Sequence, residues 1–392
     1  MENRRSKVFT IIITALITFF LTTSVTGFIT GLMEGESIEK ISIVKEMLSE
    51  YSLFDVDEEK VADYAAMAIA ASVEDPYTAY FPKEEFSAYK DNIMSSYVGM
   101  GAMLGADMVN NEITVVSTVD GGPAHKAGLK SGDKIKAIDG ENYGASQLTE
   151  ASMYVKNGDE GTTFVLLIER EGKGEFEVTV TREKITKKSV ESKMLQENIG
   201  YVKITGFESK LELTEKDTYD EFIEHLLALK SAGMKKMIID LRDNPGGDLR
   251  VVCNIADALL PKGVITYTED KYGKQEFIYS DNDQLDMPIV VIVNGGSASA
   301  SEVLTGALKD HKKATVIGTK TYGKGIVQGV FPFSDGSGMS ITTARYFTPS
   351  GVCIHQIGIE PDINVELNTT KALSELSIEE DAQLKKAIEV LK

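Results

Sequence analysis

Cysteine, histidine and positive charge are all scarce in this chain. Its two cysteines, Cys253 and Cys353, cannot build a disulfide framework, and neither stands in a C-x-x-C pair or beside a histidine cluster, which sets structural zinc aside. The 41 Lys and Arg are outnumbered by 60 Asp and Glu, for a formal net charge of −19. That balance supplies no basic stripe to hold a polyphosphate, so nucleic acid is not an expected partner. Proline is limited to 9 residues, and neither an internal repeat nor a low-complexity tract is present apart from an acidic, helix-prone tail from Ser374 onward. With 42% hydrophobic and 26% charged residues the composition is that of a folded protein, and 392 residues imply two or three domains.

Charge is also missing from Val8 to Met33. At about 1.5 Å per residue this run is long enough to cross a hydrocarbon core of roughly 30 Å. Arg4, Arg5 and Lys7 precede it and Glu34 and Glu36 follow, so the positive-inside rule leaves the amino terminus in the cytosol. The expectation is a single-pass anchor in the cell membrane over residues 1–36, with the remainder extracytoplasmic. A cleaved signal peptide is the alternative, although the run is long for one and lacks a clear A-x-A.

Residues 37–92 read as a short helical region: Ile41, Val44, Met47 and Leu48, then Val61, Tyr64, Ala65 and Ile69, fall at helical spacing, interrupted over Ser52 to Glu58. Packing or dimerising helices account for that stretch, so a homo-oligomer is allowed. Residues 93–186 read as strands between glycine turns: Ile113 to Val119, Lys134 to Ile138, Thr163 to Arg170 and Glu175 to Thr181. Within them the run Gly122 to Ile135 contains P-A-x-x-A-G-L-x-x-G-D-x-I, which resembles a PDZ domain of the circularly permuted bacterial type. The resemblance implies a small β-barrel whose carboxylate-binding turn is Val98, Gly99, Met100 and Gly101, next to a strand edge that pairs with an extended peptide. After a basic linker, Arg182 to Lys188, the chain alternates strand and helix, and KMIIDL (Lys236 to Leu241) and IVVIV (Ile289 to Val293) are apolar enough to need cover on both faces. Residues 187–392 therefore form an α/β layered core, and the fold class is α+β multi-domain.

Two strand-to-helix junctions in that core carry chemistry. Asn244-Pro245-Gly246-Gly247 follows the first buried strand and offers free N–H groups near a helix start, able to hold an oxyanion or a phosphate, without the Lys-Ser/Thr of a P-loop. Gly296-Ser297-Ala298-Ser299-Ala300-Ser301-Glu302 follows the second, where a serine is either a nucleophile beside a positive helix end or simply a cap. Only four histidines exist, His125, His225, His311 and His355, and of these only His355 is hard to set aside, so a Ser-His-Asp triad is poorly supplied. A partly buried lysine does the same work, because desolvation lowers its pKa. Lys324, flanked by glycines and followed four residues on by Gln328, is the candidate.

With these residues in view the chain resembles the carboxyl-terminal processing proteases, PDZ-containing Ser/Lys endopeptidases. The matching segments are D-P-Y-T-A-Y (Asp75 to Tyr80), N-P-G-G, G-S-A-S-A-S-E, G-x-x-T-x-G-K-G-x-V-Q (Gly318 to Gln328), T-P-S-G (Thr348 to Gly351) and G-I-E-P-D (Gly358 to Asp362). The resemblance implies a crotonase-like layered core with Ser299 as nucleophile, Lys324 as general base and Gln328 as its orienting partner. It also implies an oxyanion hole from Ala300 and one of Gly246 or Gly247, and a structural role for Asp310. Protein or peptide substrates with a free carboxyl terminus are the implied partners, and no metal or other cofactor is called for. Two rivals remain: a catalytically inactive PDZ scaffold at the membrane, and an acyl-CoA enzyme sharing the layered core.

Overall fold

The computed structural model describes residues 39–392 except 94–95, 120, 157, 187, 211–213, 282, 370 and 372. The expected span Val8 to Met33 lies outside the described residues, and among those described no helix is long and apolar enough to cross a membrane. The chain divides into two compact units, Met1–Val73 and Glu74–Lys392. In the first, a helix over residues 39–51 is followed by the helix Glu58–Ala71. Asp57 starts the second helix by accepting the N–H groups of Glu59 and Lys60.

The boundary expected near residue 92 falls earlier. Strand Ala79–Phe81 belongs to the second unit, paired antiparallel with Gly338–Phe347 in the register Ala79 to Ser340. This sheet also contains Gly263–Asp270, Gln275–Ser280 and, on the opposite side of Gly338–Phe347, Ile326–Pro332. The sequence reading missed the pairing because three strand residues carry no detectable period of their own.

The PDZ-like segment is a barrel-like sheet ordered Ala102–Asp107, Glu112–Thr118, Lys134–Ile138, Thr163–Arg170, Gly174–Thr181. Alternating residues Ile113, Val115, Ile135, Phe164, Leu166, Ile168 and Val180 fill its interior. The Gly-Asp of its motif has a physical reason. Burial alone would raise the Asp133 carboxyl, but Arg170 grips both of its oxygens at 2.6 and 2.7 Å and the Lys130 N–H adds a third bond, so it lies below the usual range. Within the stretch read as a basic linker, Arg182 is buried, donating to the carbonyls of Val155 and Tyr154, and Glu183–Thr186 pairs with Ser96–Gly99 in a two-stranded ribbon.

The layered core is a six-stranded sheet in the order Val190–Met194, Ile199–Ile204, Lys236–Asp240, Ile289–Val293, Ala314–Gly318, Ile363–Asn364, parallel except at its first pair. Helices Thr218–Ser231, Leu249–Leu259 and Ala300–Asp310 cover one face, packing on Val202, Ile239, Val291 and Val316. The other face is covered by helix Ala382–Val390, whose Leu384 and Ala387, with Leu391, pack on Ile199, Ile238, Val290 and Ile317. The acidic tail is thus a core layer. Three adjacent parallel strands deliver their carboxyl ends to one edge, the usual place for a site in such a sheet.

Candidate active site

The three turns at that edge are locked together. Asn244 is fully buried: its side chain donates to the Ile204 carbonyl at 2.9 Å and accepts the Gly246 N–H at 2.9 Å, and its own carbonyl accepts from Ala298 N–H and the Ser301 hydroxyl. A Cβ at Gly246 would lie 2.8 Å from Ser299 Cβ, and one at Gly247 2.2 Å from the Phe207 carbonyl oxygen, so only glycine fits where these turns meet.

The three serines part company here. Ser297 is buried, with its hydroxyl donating to the Leu241 carbonyl at 2.7 Å and accepting the Asn294 N–H. Ser301 is buried on Asn244. Ser299 alone is half-open, lining a cleft of about 540 Å³ together with Gly246, Gly247, Ala300, Val303 and Lys324. It precedes helix Ala300–Asp310 with φ +54° and ψ −115°, a strained conformation for a residue with a side chain. Gly247 N–H and Ala300 N–H have no acceptor among the described residues, whereas Gly246 N–H is already committed to Asn244.

Glu302 is the hub that the sequence reading passed over. It is 0% exposed and accepts four hydrogen bonds, from Ser299 N–H (2.9 Å), the Thr321 hydroxyl (2.6 Å), Gly323 N–H (2.7 Å) and Lys324 N–H (2.8 Å). One carboxylate therefore fixes the serine turn and the lysine turn to each other, with the positive helix start beneath it. Its S-x-x-E spacing from Ser299 is the signature of a capping box, which was the available signal. Thr321 in turn accepts the Ile359 N–H, and a Cβ at Gly358 would meet the Thr321 carbonyl at 2.5 Å, so G-I-E-P-D braces the lysine turn.

Lys324 is half-buried, and burial depresses its pKa while the nearby Asp75 carboxylate pulls the other way. Its Nζ lies 4.5 Å from the centroid of the Tyr77 ring. Among the described residues no hydrogen bond joins Nζ to Ser299 or to Gln328. Gln328 Nε2 donates to the Thr342 hydroxyl at 3.3 Å. Tyr346, also unforeseen, is buried beside Ser299 and donates to the Lys324 carbonyl; burial and the Glu302 charge push its phenol well up. Asp310 accepts the Ser350 N–H at 2.8 Å, tying T-P-S-G to the end of the serine helix.

Three of the histidines have local partners. His125 accepts the Gly121 N–H, His225 meets the Ser192 hydroxyl, and His311 is half-buried against the Val264 carbonyl. His355 keeps a buried Nδ1 without a hydrogen-bond partner among the described residues.

In the PDZ-like segment Val98 and Gly99 pair with Lys184 and Glu183, and Met100 is buried with its carbonyl accepting the Ala124 N–H. Met100 N–H and Gly101 N–H have no acceptor among the described residues, and Gly101 turns at φ +65° into strand Ala102–Asp107, which pairs on one edge only. The helix Leu148–Lys156 packs alongside.

Comparison with known proteins agrees with this layout. Residues 198–365 match peptidase family S41 and residues 114–170 match a PDZ domain. A "Probable CtpA-like serine protease" of Staphylococcus aureus (strain COL) is 35% identical over 342 residues, covering 86% of this chain and 66% of that protein. The "Carboxy-terminal processing protease CtpA" of Bacillus subtilis (strain 168) is 33% identical over 313 residues, covering 79% of this chain and 65% of its own length. The chain thus spans about two thirds of each curated relative. A solved photosystem II D1 C-terminal processing protease superposes with a TM-score of 0.50 at 28% identity, covering 82% of this chain and 86% of that one. On these matches, and with its motifs gathered at one sheet edge, residues 198–365 are a peptidase family S41 region and residues 114–170 a PDZ domain.

Proposed function

We propose that this chain is a serine endopeptidase that cuts proteins at or near their carboxyl termini, with Ser299 as nucleophile and Lys324 as general base. The observation that carries the reading is that Ser299, of its three serines, is the one open to the cleft and held at a helix start beside a desolvated lysine. Neutral Lys324 takes the Ser299 proton as Oγ attacks the scissile carbonyl, and the Gly247 and Ala300 N–H groups receive the oxyanion. The ammonium then returns the proton to the leaving amine, and water releases the acyl group by the same sequence. Gln328 enters as a brace of the strand behind Lys324, through Thr342. The PDZ turn Val98 to Gly101 is assigned to the substrate's terminal carboxylate, in keeping with the free N–H groups there and with the names of the two processing proteases. Anchoring by Val8 to Met33, with catalysis outside the cell, rests on the apolar run and its flanking charges.

Ser299→Ala tests the assignment. It is expected to abolish both cleavage of an unfolded protein and labelling by an acyl-serine reagent, with an unchanged melting temperature. The wild-type rate should climb with pH through the lowered pKa of Lys324, because the base must be neutral; a midpoint near the ~6.5 of an ordinary imidazole would point to His355 instead. A wild-type chain that neither cleaves nor labels is the inactive scaffold.

A further inference from the structure

The segment D-P-Y-T precedes the whole PDZ domain in sequence, yet it faces the catalytic lysine. Asp75 closes an Asx turn, accepting the Tyr77 N–H at 3.2 Å and the Thr78 hydroxyl at 2.7 Å. Thr78 Oγ1 then accepts the Thr342 N–H at 3.1 Å, and the Thr342 side chain accepts from Gln328. This turn, followed by strand Ala79–Phe81 on Gly338–Phe347, presents the Tyr77 ring to Lys324 Nζ at 4.5 Å, and the Asp75 charge acts on the same amine.

We propose that Tyr77 and Asp75 are the positioning residues of the base, the ring face and the carboxylate together holding the Lys324 side chain and the ammonium it becomes when it takes the Ser299 proton. The inference rests on Lys324 being the base. A cation is attracted to the negative face of an aromatic ring, most strongly where water is excluded, whereas a neutral amine is not. The arrangement thus favours the state in which Lys324 holds the proton, which is the state paired with the oxyanion. Burial and the neighbouring charges of Asp75 and Glu302 raise the Tyr77 phenol, which bonds Tyr322, so the ring stays neutral. Burial alone would raise Asp75 as well, but the hydroxyls of Thr342 and Thr78, the Tyr77 N–H and the charge of His355 bring it below its usual range. The other titratable groups around the amine are Glu302 and Tyr346, which hold its backbone, and Tyr89, Glu208, Asp248 and Arg250, which line the same cleft. None of these presents a ring face to Nζ among the described residues.

The test is the pH dependence of kcat and kcat/KM for Tyr77→Phe, Tyr77→Leu and Asp75→Asn in the full chain, with melting temperatures measured alongside. Tyr77→Phe keeps the ring and should keep the profile. Tyr77→Leu should lower kcat roughly 3- to 30-fold with little change in KM and move the midpoint of the acid limb to lower pH, since the ammonium loses its support. Asp75→Asn should move the midpoint in the same direction, and its side-chain oxygen still closes the turn, so it carries the test if Tyr77→Leu fails to fold. Folded Leu and Asn variants with the wild-type midpoint would overturn the proposal, as would a Tyr77→Phe as damaged as Tyr77→Leu. Lys324→Ala separates the two layers: full activity there removes the base assignment itself, independently of Tyr77 and Asp75.

Discussion

Ser297 and Ser301 are buried with their hydroxyls bonded to main-chain carbonyls, whereas Ser299 is half-open to the cleft. Ser297→Ala and Ser301→Ala each strip a buried carbonyl of a donor and are expected to lower stability by about 1–3 kcal/mol while keeping turnover. A dead but fully stable variant at either position, in a melting and peptidase assay, would move the nucleophile. Glu302 carries a different kind of load. Replaced by glutamine, it offers one acceptor oxygen in place of two and turns an NH2 toward donors from Ser299, Thr321, Gly323 or Lys324. Glu302→Gln should therefore let the serine and lysine turns drift apart and cut kcat by about 100-fold, the scale of a 1 Å misplacement, with a smaller change in KM. Wild-type kcat in that variant would show that the turns hold without it.

At the scale of elements, the carboxyl-terminal helix is bound to the active edge from behind. Arg242, one residue before the turn Asp243 to Gly247, is buried between Asp240 at 2.6 Å and Asp381 at 2.8 Å, and also donates to Gln383. Lys236 adds a bond to the Leu391 carbonyl at the far end of the same helix. Asp381→Ala leaves Arg242 paired with Asp240 but removes its bonds to Arg242 Nη1 and Nη2 and the cap on Leu384 N–H, so it should cost about 1–3 kcal/mol, and Leu384→Ala about 2–5 kcal/mol through the cavity it opens. Urea unfolding of both variants checks this; unchanged midpoints would show that the helix adds nothing to the stability of the core.

At the scale of the molecule, the PDZ domain reaches the core through the ribbon Ser96–Gly99 and Glu183–Thr186. The Ser96 hydroxyl donates to Glu215 at 2.6 Å and Lys184 pairs with the same carboxylate at 2.5 Å, a few residues before helix Thr218–Ser231. Because the turn Val98 to Gly101 continues that ribbon, a carboxylate bound there acts on the joint between the two domains. A peptide ending in apolar residues should be cut faster with a free carboxyl terminus than when amidated, in KM alone if the domain tethers and in kcat as well if docking adjusts the site. Identical rates for the two peptides would remove carboxylate recognition from the function. Much of this was legible in the sequence itself. The apolar runs at Lys236 and Ile289 declared a covered sheet, and the glycine-bounded turns marked the two junctions, because each is a local demand on backbone or solvation; the choice of Ser299 among its neighbouring serines came from the family resemblance. What only the tertiary structure decided was which groups face one another across gaps in the chain: Gly247 rather than Gly246 with a free N–H, Glu302 between two turns, Tyr77 on Lys324, and the acidic tail as a core layer. Those pairings come from the order of strands in the sheet, and hydrogen bonding and burial between segments far apart in sequence leave no period or spacing within either one.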